Sequence, residues 1–161
     1  MTKSIRITDV IYHYWDTLRN GQRHPDLSAV DVNSPELASV KEDIFLLQID
    51  DSENYPDYVM IHIGANLKGL FNQGDQEYSD DLFAMFEGFL TEKFNKIYFS
   101  HKPIILEEEH NTGTGYCVKF RQCMLPLGPS PHIVNGIIGG IRYQVDSDIS
   151  YLMQKDSTTT D

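Results

Sequence analysis

The sequence predicts an α+β domain in which helices cover an antiparallel sheet. Five stretches have the composition of strands, and a long helical stretch separates the first two from the last three. Strands grouped in this way indicate α+β architecture rather than alternating βαβ units. A chain of 161 residues is long enough for one domain with short extensions. We expect an N-terminal helix within residues 1–24, the domain over residues 25–145, and a partly disordered tail over residues 146–161.

The first predicted element is an amphipathic helix from about Thr8 to Asn20. Thr8 is a suitable N-cap, and Gly21 suits the left-handed position that ends many helices. The apolar residues recur at helical spacing and form one stripe; they are Ile7, Val10, Ile11, Tyr14, Trp15 and Leu18. A single helix cannot bury this stripe by itself. The stripe therefore packs on the domain or on another subunit, and the pattern does not choose between them.

Two strands are predicted next, after an irregular stretch that contains a short helix over Pro35–Val40. Residues 43–50 form an apolar run typical of a buried strand, and residues 58–63 form the second strand. The polar residues 51–57 between them suit a hairpin loop.

The longest helix is predicted from Ser79 or Asp80 to about Phe99. Acidic residues crowd its start and lysines its end, as the helix dipole favours, and Pro103 prevents its continuation. Three strands follow with short connections, which indicates an antiparallel meander; they are Ile104–His110, Tyr116–Leu127 and His132–Val145. Gly139 and Gly140 inside the last strand predict a bulge or a close approach of another element. The helices bury one face of the sheet, and the N-terminal helix is the candidate cover for the other.

The negative charge of the chain narrows the classes of partner. Thirteen Lys and Arg residues against 24 Asp and Glu residues give a formal net charge of −11. Nucleic acids and anionic membrane surfaces both select clustered cations, so we expect neither as a partner. No apolar run approaches the roughly 20 residues of a transmembrane helix, and the opening residues do not resemble a secretion signal. We therefore expect a cytoplasmic protein in which Cys117 and Cys123 are reduced and too far apart to pair.

Several short motifs occur in a fixed order between about residues 10 and 145. Tyr14-Trp15, Leu18-Arg19, Gly21 and Arg23 precede an acidic segment over residues 31–35, the strand motif Ile44-Phe45-Leu46-Leu47, and a closing hairpin with Leu125-Pro126-Leu127-Gly128 and Ile138-Gly139-Gly140-Ile141. In this order the motifs resemble a divergent, mainly alphaproteobacterial branch of single-domain PAS sensory proteins.

The resemblance implies a five-stranded antiparallel sheet in the order 2-1-5-4-3, with a cavity between its inner face and the long helix. PAS domains sense small molecules, cofactors or partner proteins, often as dimers. The chain has Gly64-Ala65 where the family usually has Gly-Thr, and Lys102-Pro103 where it usually has Arg-Pro. The first departure removes a hydroxyl near the expected mouth of the cavity, so no ligand preference is carried over.

Alternation along the fourth strand predicts which side chains face the cavity. The more apolar face carries Tyr116, Val118, Phe120 and Gln122, and the long helix supplies the opposite wall. A buried amide such as Gln122 needs hydrogen-bond partners, either a bound small molecule or groups of the protein itself such as backbone and tyrosine hydroxyls. The same apolar residues also suit a filled core. The predicted ligand-pocket residues are Met85, Phe86, Phe89, Leu90, Tyr116, Val118, Phe120 and Gln122.

No catalytic or metal-binding motif is recognised in the sequence. A haem-binding PAS domain needs an axial ligand beside the cavity, and the long helix has no histidine before His101, so we expect neither haem nor a metal, and the cofactor is otherwise unknown. His62 on the second strand faces either the pocket or solvent. Alternation places Glu108 and His110 on one face of the third strand. We interpret residues 107–110 as a solvated charge run at a sheet edge rather than as half of a metal site.

The sequence therefore favours a non-catalytic PAS-like sensory module that binds a small ligand or a signalling partner protein. A ligand or partner would act by stabilising one packing of the long helix. A homodimer contact is predicted on the N-terminal helix, at Ile11, Tyr14, Trp15 and Leu18. One alternative is an isomerase or hydratase, which needs a buried carboxylate of raised pKa, a role that Asp50, Glu87 and Glu92 fit poorly. The other alternative is a structural adaptor with a filled core.

Overall fold

The structure, a computed structural model, describes residues 6–70, 80–111 and 116–147, and the side chains within 6–70, 87–111 and 117–146. Its α-helices are α1 (Ile7–Arg19) and α2 (Asp80–Ser100). Its strands are β1 (Ile44–Asp50), β2 (Asp57–Ile63), β3 (Ile104–Asn111), β4 (Tyr116–Leu127) and β5 (Gly136–Ser147). Short 3₁₀ segments cover Leu27–Ala29, Pro35–Asp43 and Ala65–Leu67. Within these residues, no helix is both long enough and apolar enough to span a bilayer.

The five strands form one antiparallel sheet in the order β2-β1-β5-β4-β3. This confirms the predicted α+β class and the strand order that the resemblance implied. The fifth strand begins at Gly136, four residues later than predicted. The residues before it belong to a compact loop, in which Ser130 pairs with Ile133 and the Asn135 amide donates to the Leu127 carbonyl at 2.9 Å. Of the predicted tail, residues 148–161 lie outside the described part of the chain.

The sheet separates two apolar clusters because neighbouring residues of a strand point to opposite faces. The inner cluster packs α2 on the sheet and consists of Phe45, Leu47, Ile49, Leu67, Leu70, Leu90, Phe94, Ile97, Val118, Phe120, Met124, Val134, Ile137 and Ile141. The outer cluster packs α1 on the opposite face and consists of Ile7, Ile11, Tyr14, Trp15, Leu37, Val40, Ile44, Leu46, Cys123, Leu125, Leu127 and Ile138. The N-terminal helix is thus the cover of the second face, as the sequence predicted.

Helix α1 begins at Ile7, one residue before the predicted N-cap, and the side chain of the observed N-cap residue, Arg6, makes no capping hydrogen bond. It ends at the left-handed residues Asn20 and Gly21, whose φ angles are 46° and 80°. The indole nitrogen of Trp15 donates to the Pro126 carbonyl at 2.8 Å. This bond and the burial of the apolar stripe settle the alternative that the sequence left open, because the stripe packs on the domain itself.

Two adjacent glycines in β5 allow close packing on both faces of the sheet. A Cβ atom on Gly139 would lie 2.3 Å from the Phe45 ring on the inner side. A Cβ atom on Gly140 would lie 2.0 Å from the Cδ1 atom of Ile11 in α1 on the outer side. Of the predicted bulge or close approach, the close approach is the observed one.

Candidate functional site

A groove of about 640 Å³ lies between helix α2 and the edge strand β2. We call it the α2–β2 groove. Its aromatic lining residues are Tyr55, Tyr58, Phe94 and Phe99. Leu90, Met60 and Leu70 add aliphatic surface. This volume lies within the range of small-molecule binding sites. An apolar lining with a few polar groups is also typical of such sites.

A hydrogen bond from Tyr58 to Asn95 joins the two walls of the groove. The Tyr58 hydroxyl donates to the Asn95 side-chain oxygen, which ties β2 to α2. The Tyr58 ring also packs 5.2 Å, centre to centre, from the Phe94 ring. Burial, with a smaller contribution from Tyr98, raises the pKa of Tyr58 to about 12. Tyr58 therefore remains protonated at neutral pH and acts as a hydrogen-bond donor.

The predicted ligand-pocket residues fall in different parts of the helix–sheet interface. Leu90 lines the α2–β2 groove, whereas Val118 and Phe120 are buried in the inner cluster. Phe89 and Gln122 contact a second feature, described next. The side chains of Met85, Phe86 and Tyr116 lie outside the described residues. Whether any of these residues contacts a ligand stays a prediction.

Towards the opposite edge of the sheet lies a polar cluster made of Lys93, Glu108, His110 and Gln122. One oxygen of Glu108 accepts hydrogen bonds from Lys93 at 2.8 Å and from Gln122 at 3.1 Å. Its other oxygen accepts from His110 Nε2 at 2.5 Å. Lys93 and Gln122 are buried, with exposed fractions of 9% and 3%. The partner of the Gln122 amide is thus a carboxylate, which sequence reasoning did not foresee.

Phe89 covers the histidine of the polar cluster. Its ring stacks on the His110 ring with centres 4.1 Å apart and planes inclined by 24°. The Phe120 ring meets the same histidine at 6.1 Å. Two aromatic rings therefore surround His110 while Glu108 binds one of its nitrogens. This packing places Phe89 beside the polar cluster rather than in the lining of the α2–β2 groove.

Residues 107–110 lie on the edge strand β3, as the sequence predicted, but Glu108 and His110 are half-buried rather than solvated. The predicted alternation is correct, since Glu107 and Glu109 are exposed and Glu107 pairs with Arg121 at 2.9 Å. The carboxylate of Glu108 is tolerated on the inward face of β3 because the ammonium group of Lys93 in α2 neutralises its charge. Among the residues that the structure describes, no group of three or more His, Cys, Asp or Glu side chains is arranged to hold a metal ion.

The polar cluster holds Glu108 in its ionised form. Burial alone would raise the pKa of Glu108, but the hydrogen bonds and charges of Lys93 and His110 outweigh burial and leave this pKa below its usual value. A carboxyl group that acts as a general acid or base near neutral pH needs a raised pKa instead. Glu108 does not have that property.

We expect Glu108→Gln to lower the free energy of unfolding by about 2 kcal/mol at neutral pH, because it leaves the buried Lys93 ammonium without its counter-ion. Folding lowers the pKa of Glu108, so its stabilising contribution is present above the unfolded-state pKa. The contribution is lost as the pH falls through the folded-state pKa. Urea unfolding of both proteins should therefore give a difference that shrinks as the pH is lowered through the acid range.

The matched control is Glu107→Gln on the exposed face of the same strand. Its ion pair with Arg121 is solvent-exposed, so the expected loss is below about 1 kcal/mol. A difference between the Glu108→Gln protein and the original protein that stays constant down to the acid transition would contradict the assignment.

A β-bulge decides the orientation of His62, which the sequence left open. The register places His62 opposite Leu46 but Met60 opposite Leu47, and so leaves Ile61 without a direct partner. His62 consequently shares the outer face with Leu46, away from the α2–β2 groove. Burial, followed by the nearby charge of Lys41, lowers the pKa of His62. His62 is therefore not a residue of the groove.

The predicted homodimer residues lie on the stripe that α1 buries within one chain. Ile11, Tyr14 and Trp15 are almost completely buried in the outer cluster, and Leu18 packs at its margin. These contacts give the stripe a partner inside the chain. The homodimer contact itself stays a prediction.

No model of a known protein family matches the chain. No curated protein matches it at a significant level. The class of protein is therefore defined by its geometry, as an α+β domain in which one long helix crosses the inner face of a five-stranded antiparallel sheet of order 2-1-5-4-3.

Proposed function

We propose that the chain is a PAS-like sensory module that binds a small organic ligand in the α2–β2 groove and catalyses no reaction. The observation that carries this proposal is the position of the groove. It lies between the long helix and the inner face of a sheet of PAS strand order, at the interface where the sequence resemblance implies a ligand cavity. The aromatic lining and the volume of about 640 Å³ support a small molecule as the occupant.

In this proposal the ligand acts by population shift, because it binds one position of α2 better than another. The groove wall includes Phe94 and Asn95, so a ligand contacts α2 directly. Lys93 of the same helix turn is anchored to Glu108 on β3. A displacement of α2 at the groove would therefore reach the opposite edge of the sheet through this ion pair.

We extend the proposal to the compartment and the partners of the module. The module acts in the cytoplasm, as a homodimer or with a signalling protein, and the net charge of −11 disfavours nucleic acid and anionic membranes as partners. Cys117 and Cys123 are both free thiols, which is typical of a reducing compartment.

An adaptor without a ligand is the second candidate function, and the packing of the inner cluster favours it. Ile97, Val118 and Met124 are completely buried between α2 and the sheet. A filled core of this kind also suits a protein that only presents surfaces to partners.

Native mass spectrometry of freshly purified protein tests the proposed function. We expect added mass from a retained ligand, and we expect Thr91→Trp to abolish it, because Thr91 is an exposed residue of the groove wall and indole would fill the groove. Lys96→Trp is the matched control on the same helix, at an exposed position outside the groove lining. Protein that carries no added mass, and whose melting temperature no compound of a small-molecule panel raises, would favour the adaptor. Mass retained by Thr91→Trp would place the ligand elsewhere.

A further inference from the structure

Among the residues that the structure describes, the lining of the α2–β2 groove carries negative charge and no positive charge. Asp57 at the start of β2 and Glu87 in α2 both belong to its lining. The lining residues within the described chain include no Lys, Arg or His. Both carboxylates are exposed, so a ligand in the groove can reach them directly.

The sequence around the groove has the same charge bias over a longer range. Between Lys41 and His62 there are six acidic residues and no basic residue, and the same holds between Lys68 and Lys93. Twelve of the 24 acidic residues of the chain thus fall in two segments that contain β2 and the first half of α2. An excess of acidic residues in the segments that supply a groove favours a ligand of positive charge.

Basic residues close to the groove in the sequence, such as Lys68, Lys93 and Lys96, are not among its described lining residues. Lys93 binds Glu108 at 2.8 Å on the side of α2 that faces β3. His62 faces the outer side of the sheet opposite Leu46. Lys96 is exposed and is not part of the groove lining.

The aromatic rings of the groove add a second attraction for cations. Tyr55 and Phe99 are large side chains with exposed fractions of 62% and 73%, whereas Tyr58 is half-buried and Phe94 is buried. The face of an aromatic ring carries negative charge density, which attracts an ammonium group within about 6 Å. An uncharged ligand gains only apolar contact from these rings, and the carboxylates repel an anion.

We propose that the α2–β2 groove selects organic cations, in which an ammonium group is carried on an aromatic or branched apolar body. The ammonium group binds beside Asp57 or Glu87, and the apolar body packs between the aromatic side chains. This inference rests on the proposed function and names its class of ligand.

A titration with three matched probes, followed by ¹⁵N NMR of the full chain, tests the inference. The probes are phenethylammonium, its uncharged counterpart 2-phenylethanol, and the anion 3-phenylpropionate. We expect the cation to bind about tenfold more tightly than the alcohol, and the anion most weakly. High salt should reduce the preference for the cation, because the carboxylates are exposed. The shifted amide signals should come from β2 and from residues 87–99 of α2.

Charge-neutral variants separate the electrostatic preference from binding itself. Asp57→Asn combined with Glu87→Gln should weaken binding of the cation about fivefold and leave the affinity for the alcohol unchanged. Glu92→Gln, an exposed acid of the same helix outside the groove lining, is the matched control and should change neither affinity.

Equal affinities for the cation and the alcohol, or a cation preference that the double substitution leaves undiminished, would overturn the ligand class and leave the proposed function standing. Failure of all three probes to bind in the groove would overturn both.

Discussion

Replacing Trp15 by alanine should lower the free energy of unfolding by about 3–5 kcal/mol. The indole is 2% exposed in the outer cluster, and its nitrogen donates to the Pro126 carbonyl at 2.8 Å. The substitution removes a large apolar side chain, leaves a cavity, and deprives a buried carbonyl of its donor. Chemical unfolding followed by circular dichroism measures the loss. A loss below about 1 kcal/mol would contradict the docking of α1 on the sheet.

Two further variants separate the contribution of the Trp15 hydrogen bond from that of its apolar packing. Trp15→Phe keeps most of the apolar contact but removes the donor, so we expect a smaller loss of stability, of about 1–2 kcal/mol. Leu18→Ala changes only the margin of the outer cluster and should cost about 1 kcal/mol or less.

Because the contact lies within one chain, the loss for Trp15→Ala should not depend on protein concentration. A loss that grows on dilution, with a mass by light scattering that falls to the monomer, would assign the contact to a dimer instead.

Gly128→Ala should cost about 3 kcal/mol or prevent folding altogether. A Cβ atom at this position would lie 1.7 Å from the Ile133 carbonyl oxygen and 2.9 Å from His24 Nε2. The backbone has little freedom to retreat, because the Gly128 amide donates to the Pro25 carbonyl at 2.9 Å. His24 also holds the loop, since its Nε2 donates to the carbonyls of Ser130 and Ile133.

Gly88→Ala is the matched control for this substitution. Gly88 lies in α2, and within the described part of the chain a Cβ atom there would have no neighbour within 4 Å beyond the adjoining backbone of its own helix. Alanine should therefore raise the free energy of unfolding by about 1 kcal/mol, since glycine is the poorer helix former. Both variants change glycine to alanine, so their effects on the unfolded chain are alike. Thermal unfolding should give shifts of opposite sign, and shifts of the same sign would contradict the description of the loop around Gly128.

Much of the fold could be predicted from local patterns. The helical stripe around Trp15 and the alternation along β4 both indicate which side chains are buried, because a single element determines them. The order of the strands came from the resemblance, since pairing between distant strands has no local signal.

The candidate site was harder to predict because it depends on contacts between distant residues. The sequence placed one wall of the ligand pocket on β4, around Phe120, and the other on the long helix, whereas the groove lies between that helix and the edge strand β2, around Tyr58. The way α2 crosses the sheet is set by packing, which no single stretch encodes. The pairing of Lys93 with Glu108 likewise joins two elements, and the bulge that turns His62 outward has no signature in its own strand.

Because Gly139 and Gly140 have no side chains, the backbone in the middle of β5 contacts the inner cluster on one face and the outer cluster on the other. Phe45 packs on the backbone at Gly139, and Ile11 of α1 packs on the backbone at Gly140. Side chains normally separate the backbone of a sheet from its neighbouring layers. At these two glycines no side chain does so on either face, and the neighbouring side chains approach the backbone directly. The centre of β5 should therefore tolerate substitution less well than its ends, and an added methyl group there would disturb the packing of α1 or of Phe45 according to which glycine carries it.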